Sequence, residues 1–297
     1  MKSIKFNGQK ITTIFQKLTI FFSILLTTSL FSDAKITLGL TGVTLKEDIA
    51  TIINFKEYLS KHSKLDLNLK FSKSYSIMES FISNQTVNFA YICGATYVNL
   101  KKTDKIELLV LPIFNNKKTY SSLIITKKDN NYKGLFDLKN RFFAMSDPDS
   151  NSGSLVPSYE LIKKGYSKEN FFKNIIYTYD HGESIQAVLS GFVQAASVDS
   201  MVYNSYLNKN PLARKELKII DDFDNYPIPP FIIRKDVDKK IKQRLKNTLL
   251  NMHKSKSGKK ILSSMSIDKF VEPQNISYKK IEKIKKNLEN SRVEDAK

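Results

Sequence analysis

Cysteine is almost absent, with Cys93 alone in 297 residues. That excludes an internal disulfide framework and a cysteine-rich zinc site. Histidine is nearly as scarce: His62, His181 and His253 leave little for a multi-histidine metal centre. No Walker A loop, no GxGxxG after a candidate strand and no HExxH is found. Internal repeats and low-complexity linkers are missing as well. Acidic residues are under-represented, 29 against 48 basic ones, for a net charge of +19. Such a charge suits a polyanion partner, but the lysines are scattered. The two clusters, Lys239–Lys240 and Lys279–Lys286, lie on apparent amphipathic helices, where a solvated face is the plainer account. With no RRM, zinc-finger or helix-turn-helix signature, no nucleic acid is expected as a partner.

What is present argues for packed cores. Nineteen Phe and fourteen Tyr offset a charged fraction of 26%. The length suits one large domain or two ordinary ones. The first residues read as an address. Lys2, Lys5, Lys10 and Lys17 precede the uncharged run Leu18–Phe31, and Ser32-Asp33-Ala34 places small residues for a cut after Ala34. The run is shorter than a bilayer span. Residues 1–34 are therefore expected to be a signal peptide, with an uncleaved anchor as the other reading, and the protein to be periplasmic. No cysteine stands at the cut to carry a lipid.

Beyond residue 34, short apolar runs alternate with segments of helical spacing. Candidate strands are Ile36–Leu40, Leu67–Phe71, Phe89–Ile92, Leu108–Ile113, Ser122–Thr126, Arg141–Met145, Ile175–Tyr179, Val193–Val198, Leu217–Ile220 and Phe231–Ile233. Helical spacing occupies 46–61, 238–252 and 278–290. The alternation predicts an α/β architecture with mostly parallel sheets. Lys118–Ser121 and Tyr226-Pro-Ile-Pro-Pro230 look like crossovers between two lobes, the prolines favouring extended chain.

Chemistry is concentrated after the strands. Thr44-x-x-Glu47 and Ser76-x-x-Glu79 read as capping boxes. Asp147-Pro-Asp-Ser-Asn-Ser-Gly-Ser154, Asp180-His181-Gly-Glu-Ser184 and Asp199-Ser200 each precede a helical run. Five helix starts thus sit at carboxyl ends of strands, the edge where open α/β sheets bind ligands. Free N–H groups and partial positive charge there suit an anion. The 147–154 segment is the richest: Ser150, Asn151, Ser152 and Ser154 carry donors, Gly153 permits close backbone approach, and Pro157 fits the first helical turn. It would cradle an oxyanion without any lysine; the plainer account is a polar turn that caps a helix. Beside an anion, His181 is expected to tend to the cation. Cys93 would need an oriented dyad with His181 to act as a nucleophile. Nothing local supplies one, and a buried free cysteine is the plainer account.

These residues carry a resemblance. FAYICGATYV at 89–98, SDPDSNSGSLVPSYEL at 146–161, IQAVLSGFVQAASVDSMVYN at 185–204 and PPFIIRKDV at 229–237 are similar to the phosphate/phosphite/phosphonate substrate-binding proteins of ABC transporters, over residues 35 to about 275. The resemblance implies a type II periplasmic binding fold: two α/β lobes, 35–120 with 228–297 and 121–227, joined by two hinge crossovers around a ligand. It implies a receptor without catalysis or cofactor, a monomer that delivers a small phosphorus oxyanion to an inner-membrane permease. Ser150, Asn151 and Ser152 would donate to phosphoryl oxygens. Tyr75, Tyr91, Cys93 and His181 would line the pocket, with Thr44 in the first loop. Asp199 would accept a proton from a P–OH group. Members that hold an aminophosphonate keep a carboxylate near the second crossover, where this chain reads Tyr-Pro-Ile-Pro-Pro-Phe. Another organic anion, a sulfonate or a thiamine-like solute, stays open, as does a membrane sensor kinase as partner in place of the permease.

Overall fold

Apolar, β-branched runs become strands, and amphipathic segments become the helices that cover them. The computed structural model describes residues 35–41, 49–72 and 74–295. The expected signal peptide, Thr44 and the Thr44–Glu47 box lie outside the described residues. First come β1 (Ile36–Leu40), α1 (Ile49–Ser63), β2 (Leu67–Phe71), α2 (Tyr75–Ser83), β3 (Phe89–Tyr91), α3 (Gly94–Lys101) and β4 (Ile106–Ile113). Then follow β5 (Thr119–Lys127), β6 (Phe142–Met145), α4 (Val156–Ile162), α5 (Lys168–Phe171), β7 (Asn174–Tyr177), α6 (His181–Leu189), β8 (Ala195–Asp199), α7 (Ser200–Lys209), α8 (Ala213–Glu216) and β9 (Leu217–Pro227). Last are β10 (Phe231–Arg234), α9 (Lys239–Asn251), α10 (Lys256–Ser264), β11 (Lys269–Val271) and α11 (Lys279–Asp295).

The strands form two sheets. One has the order β11-β4-β10-β3-β1-β2, the other β7-β6-β8-β5-β9. Each sheet with its helices makes a lobe. The expectation of mostly parallel sheets is not met. β1 pairs in parallel with β2 and β3, and β6 with β7 and β8. The remaining pairings, β10 with β3 and β4, β11 with β4, and β5 with β8 and β9, are antiparallel. The reason is topological. The chain leaves the first sheet along β4 and returns along β10; it enters the second along β5 and leaves along β9. Each outgoing strand lies beside its returning one, so the two must run in opposite directions, whereas the parallel pairs are joined through helical connections. Where the chain crosses, the two passages are tied together: Ile228 N–H donates to the Lys118 carbonyl at 3.1 Å.

The first lobe packs Phe55 and Leu59 of α1 and Leu245 and Leu249 of α9 against Leu38, Leu67, Phe89 and Phe231 of the sheet. Burying each such side chain contributes about 1.5–3 kcal/mol. The second sheet is covered on both faces, by Ile185, Val188 and Val202 on one and by Leu161, Phe171 and Phe172 on the other. Helix α11 packs on α3 of the first lobe and on α4 of the second. At Gly94 a Cβ would stand 2.7 Å from Ile281 Cδ1, so glycine is what lets α3 meet α11. Among the described residues no helix is long and apolar enough to cross a membrane.

Candidate ligand-binding site

Carboxyl ends of strands from both sheets face one buried region. On the first lobe, β2 leads into α2. Ser74, extended at φ −126° and ψ 157°, caps that helix by accepting the Ile77 N–H. The capping box expected at Ser76 and Glu79 does not form. Ser74 takes the cap two residues earlier, which leaves Ser76 inside the helix, and Glu79 instead accepts from Asn99 Nδ2 at 2.7 Å. Tyr75, the first helical residue, is buried, and its N–H donates to Asp147 Oδ2 of the second lobe at 3.1 Å. At the end of β3, Tyr91 stacks on Phe231 with ring centroids 4.8 Å apart. Cys93 follows just before α3.

On the second lobe, β6 leads into the 147–155 segment. Ser150 is extended and its Oγ accepts the Gly153 N–H at 3.0 Å. Its carbonyl accepts both the Ser154 and Leu155 N–H groups, at 3.1 and 2.9 Å. The turn over Asn151–Leu155 is therefore a π-helix, wider than an α-turn, a departure that often marks functional sites. Two strand hydroxyls hold it in place: Ser122 Oγ of β5 and Ser197 Oγ of β8 each donate to the Ser152 carbonyl at 2.6 Å. At Gly153 any Cβ would collide with the Ser146 hydroxyl, so a larger residue there would force Ser146 to move. The Asn151 side chain donates through Nδ2 to Tyr120 Oη at 2.9 Å, its backbone N–H donates to Cys93 Sγ at 3.3 Å, and its Oδ1 is buried without a partner.

His181 and Asp199 open the next two helices. Asp180 caps α6, accepting from Gly182 and Glu183 N–H. His181 is buried, and its Nδ1 accepts the Asp199 backbone N–H at 3.2 Å. The ring proton therefore sits on Nε2, which lies 3.5 Å from Ser146 Oγ. Burial pushes the imidazole pKa down to about 3. In the fold by itself this His is a neutral donor, because it is desolvated and one nitrogen is already an acceptor; the cation was expected beside a bound anion, which would oppose that lowering. Asp199 caps α7, with Oδ1 accepting from Met201 N–H at 2.7 Å and Val202 N–H at 3.2 Å. Burial drives its carboxyl up to about 7, against the lowering effect of those two bonds. Burial also drives the Cys93 thiol up to about 11, so it is a thiol and not a thiolate.

Eight of the nine candidate residues therefore meet. Cys93 touches Asn151, His181 touches Asp199, and Asp199 lies near enough to hold the Tyr75, Tyr91 and Tyr120 phenols further towards their protonated forms, beyond what burial does. Sequence reasoning missed Tyr120, Ser122, Ser146 and Ser197, and gave Asp147 no ligand role. Ser122 and Ser197 are fully buried; Ser122 adjoins the apolar stretch Leu123–Ile125 of β5, and Ser197 lies within Ala195–Val198 of β8. Among the described residues no cation enters the cluster. Arg234, the one buried Lys or Arg among the described residues, pairs with Asp236 and bonds the Val87 carbonyl. The described residues hold no group of His, Cys, Asp and Glu arranged for a metal ion.

Two mixed α/β lobes with helix starts converging on a buried site between them define a two-lobed type II periplasmic binding fold. The chain belongs to the family described as the periplasmic substrate-binding protein of the phosphonate ABC transporter, whose profile it matches over residues 46–278. It is 28% identical over 187 residues to the "Probable ABC transporter phosphite binding protein PhnD1" of Prochlorococcus marinus, covering 59% of this chain and 63% of that protein. It is 26% identical over 191 residues to the phosphonates-binding periplasmic protein of Escherichia coli, covering 61% and 56%. The matched stretch thus spans less than two thirds of either relative. Among solved structures, the fold is shared with Prochlorococcus PhnD1 in complex with methylphosphonate, at a TM-score of 0.77, 22% identity and coverage of 87% and 99%. It is also shared with a binding-protein component of a Pseudomonas aeruginosa phosphonate transporter, at 0.74, 20% identity and 80% of each chain.

Proposed function

We propose that this protein is the receptor of an ABC importer, and that it binds a small phosphorus oxyanion carrying at least one P–OH group between its lobes. The observation that carries the reading is the site's chemistry: buried neutral donors, no cation among the described residues, and one carboxyl whose pKa burial raises to about 7. The π-turn at Ser150–Ser152 supplies hydroxyl and backbone donors with the helix dipole behind them. Neutral His181 donates through Nε2. Asp199 accepts the ligand's proton, or supplies one when it is itself protonated. A sulfate or sulfonate has no proton to share, so above about pH 7 it would face the ionised carboxylate. Tyr75 and Tyr91 line the opposite wall from the first lobe. The lobes run 35–120 with 228–297 and 121–227, residues 1–34 are the export signal, and the receptor works in the periplasm as a monomer, with the permease as its partner and without catalysis.

Complex formation needs one proton shared between ligand and Asp199. Affinity is therefore expected to hold below pH 7 and to fall as pH rises to 9, approaching tenfold per unit once neither group carries the proton. Calorimetry of stripped, refolded protein against phosphate, phosphite, methylphosphonate, aminoethylphosphonate, sulfate and taurine tests both claims. Binding of a phosphorus compound, with the stated pH slope lost in Asp199→Asn, is the expected result. Binding of taurine or sulfate alone would remove phosphorus from the reading.

A further inference from the structure

The residues assigned to the ligand are shut away: Ser150 and Asn151 have no exposed surface, and Ser152, Tyr75 and Asp199 have 2% or less. A solute reaches them only when the lobes part. Several hydrogen bonds join the lobes, and two of them involve residues of the site. The Tyr75 N–H of the first lobe donates to Asp147 Oδ2 of the second at 3.1 Å, and the Asn151 N–H of the second donates to Cys93 Sγ of the first at 3.3 Å. The second is a weak bond to a neutral thiol. The first joins a carboxylate to the first turn of α2, where unpaired N–H groups and the helix dipole favour negative charge. Asp147 is aimed from its own side, because Oδ1 accepts the Asp149 N–H at 2.8 Å.

We propose that Asp147 is the positioning residue for closure, clasping α2 so that the ligand-free protein already populates the closed form in which the anion site is complete. This rests on reading the protein as a solute receptor, and it goes beyond that reading by placing part of the closing free energy in the chain. Closure has other contributors that the clasp does not involve: the contact of α11 with α4, and the bonds of Ser266 Oγ to Ser205 Oγ and of Lys280 Nζ to the Asp224 carbonyl. Loss of Asp147 therefore shifts the open population and does not abolish closure.

Cys93 is the only cysteine, and it is buried against Asn151, so its reaction with a maleimide reports opening. In Asp147→Asn the side chain keeps its size but has one acceptor oxygen where two bonds and a charge were. The ligand-free full chain, stripped by unfolding and refolding, is expected to label about tenfold faster in that variant, and faster still in Asp147→Ala. Its scattering radius of gyration should also increase, while circular dichroism and cooperative melting persist. Unchanged labelling and radius in folded Asp147→Asn would overturn the proposal. If both variants fail to fold, scattering from the unsubstituted ligand-free chain decides: a radius matching the closed structure supports the clasp, and an expanded one sinks it. Adding phosphite or methylphosphonate to the unsubstituted chain separates the two claims. If neither slows labelling, the phosphorus ligand falls while the ligand-free effect of Asp147 stands.

Discussion

At the scale of single residues, the site works by withholding water from ionisable groups. Asp199 has a carboxyl pKa of about 7 when folded, against about 4 in an unfolded chain. An acid shifted upward stabilises the fold fully below its unfolded value and loses that stabilisation as pH rises through the folded value. The unfolding free energy of the ligand-free protein is thus expected to decline between pH 4 and 7, and to decline less in Asp199→Asn. Denaturant titrations at several pH values would show it; equal slopes in both proteins would assign the proton to another group. His181 runs the other way, its folded pKa lying far below the unfolded one. It should remain neutral at pH 6, and the nitrogen chemical shifts of its ring should report a proton on Nε2 and a bare Nδ1.

At the scale of elements, the π-turn is the part most exposed to small changes. Gly153→Ala forces a Cβ into the Ser146 hydroxyl. Relief of that overlap is expected to cost about 1–3 kcal/mol of stability and to weaken binding by displacing the donors. Chemical denaturation with calorimetry measures both, and a variant unchanged in either would show that the turn is not held as tightly as its contacts imply. Ser197→Ala leaves Ser122 as the remaining hydroxyl on the Ser152 carbonyl. It should cost about 1 kcal/mol and lower affinity more than stability. The turn's position after β6 and its serines were legible in the sequence, because turn chemistry is local. Its π-geometry was not, since that depends on hydroxyls from β5 and β8, distant along the chain. The Ser76–Glu79 box failed for a similar reason: two serines competed for one cap, and the backbone at Ser74 decided.

At the scale of the whole molecule, the net charge of +19 and the binding site are separate matters. The lysines are spread along the chain and, among the described residues, none reaches the buried cluster, so attraction of the ligand by long-range charge is screened at ordinary salt. Affinity for the proposed phosphorus ligand is expected to change by less than about threefold between 50 and 500 mM salt. A steep decline would relocate the anion to surface lysines. The two crossovers, bonded to one another through Ile228 and Lys118, are the natural hinge, and ligand binding should contract the radius of gyration further in solution scattering.

By itself the sequence determined ten of the eleven described strands, the helices of long apolar periodicity and those that follow β6, β7 and β8; it did not reach α3 or α10, the Ser74 cap, or Tyr120, Ser122, Ser146 and Ser197 at the site. The elements it did determine follow from apolar periodicity and from caps, which act over a few residues. The three-residue strand β11 escaped because so short a run carries no period. Tertiary structure alone decided the rest. The sheets are mixed because outgoing and returning strands lie side by side. His181 is neutral and Asp199 titrates near 7 because both are buried, and burial is a property of the assembled chain. Asp147 became a contact between the lobes only when the fold brought the segment after β6 against the start of α2.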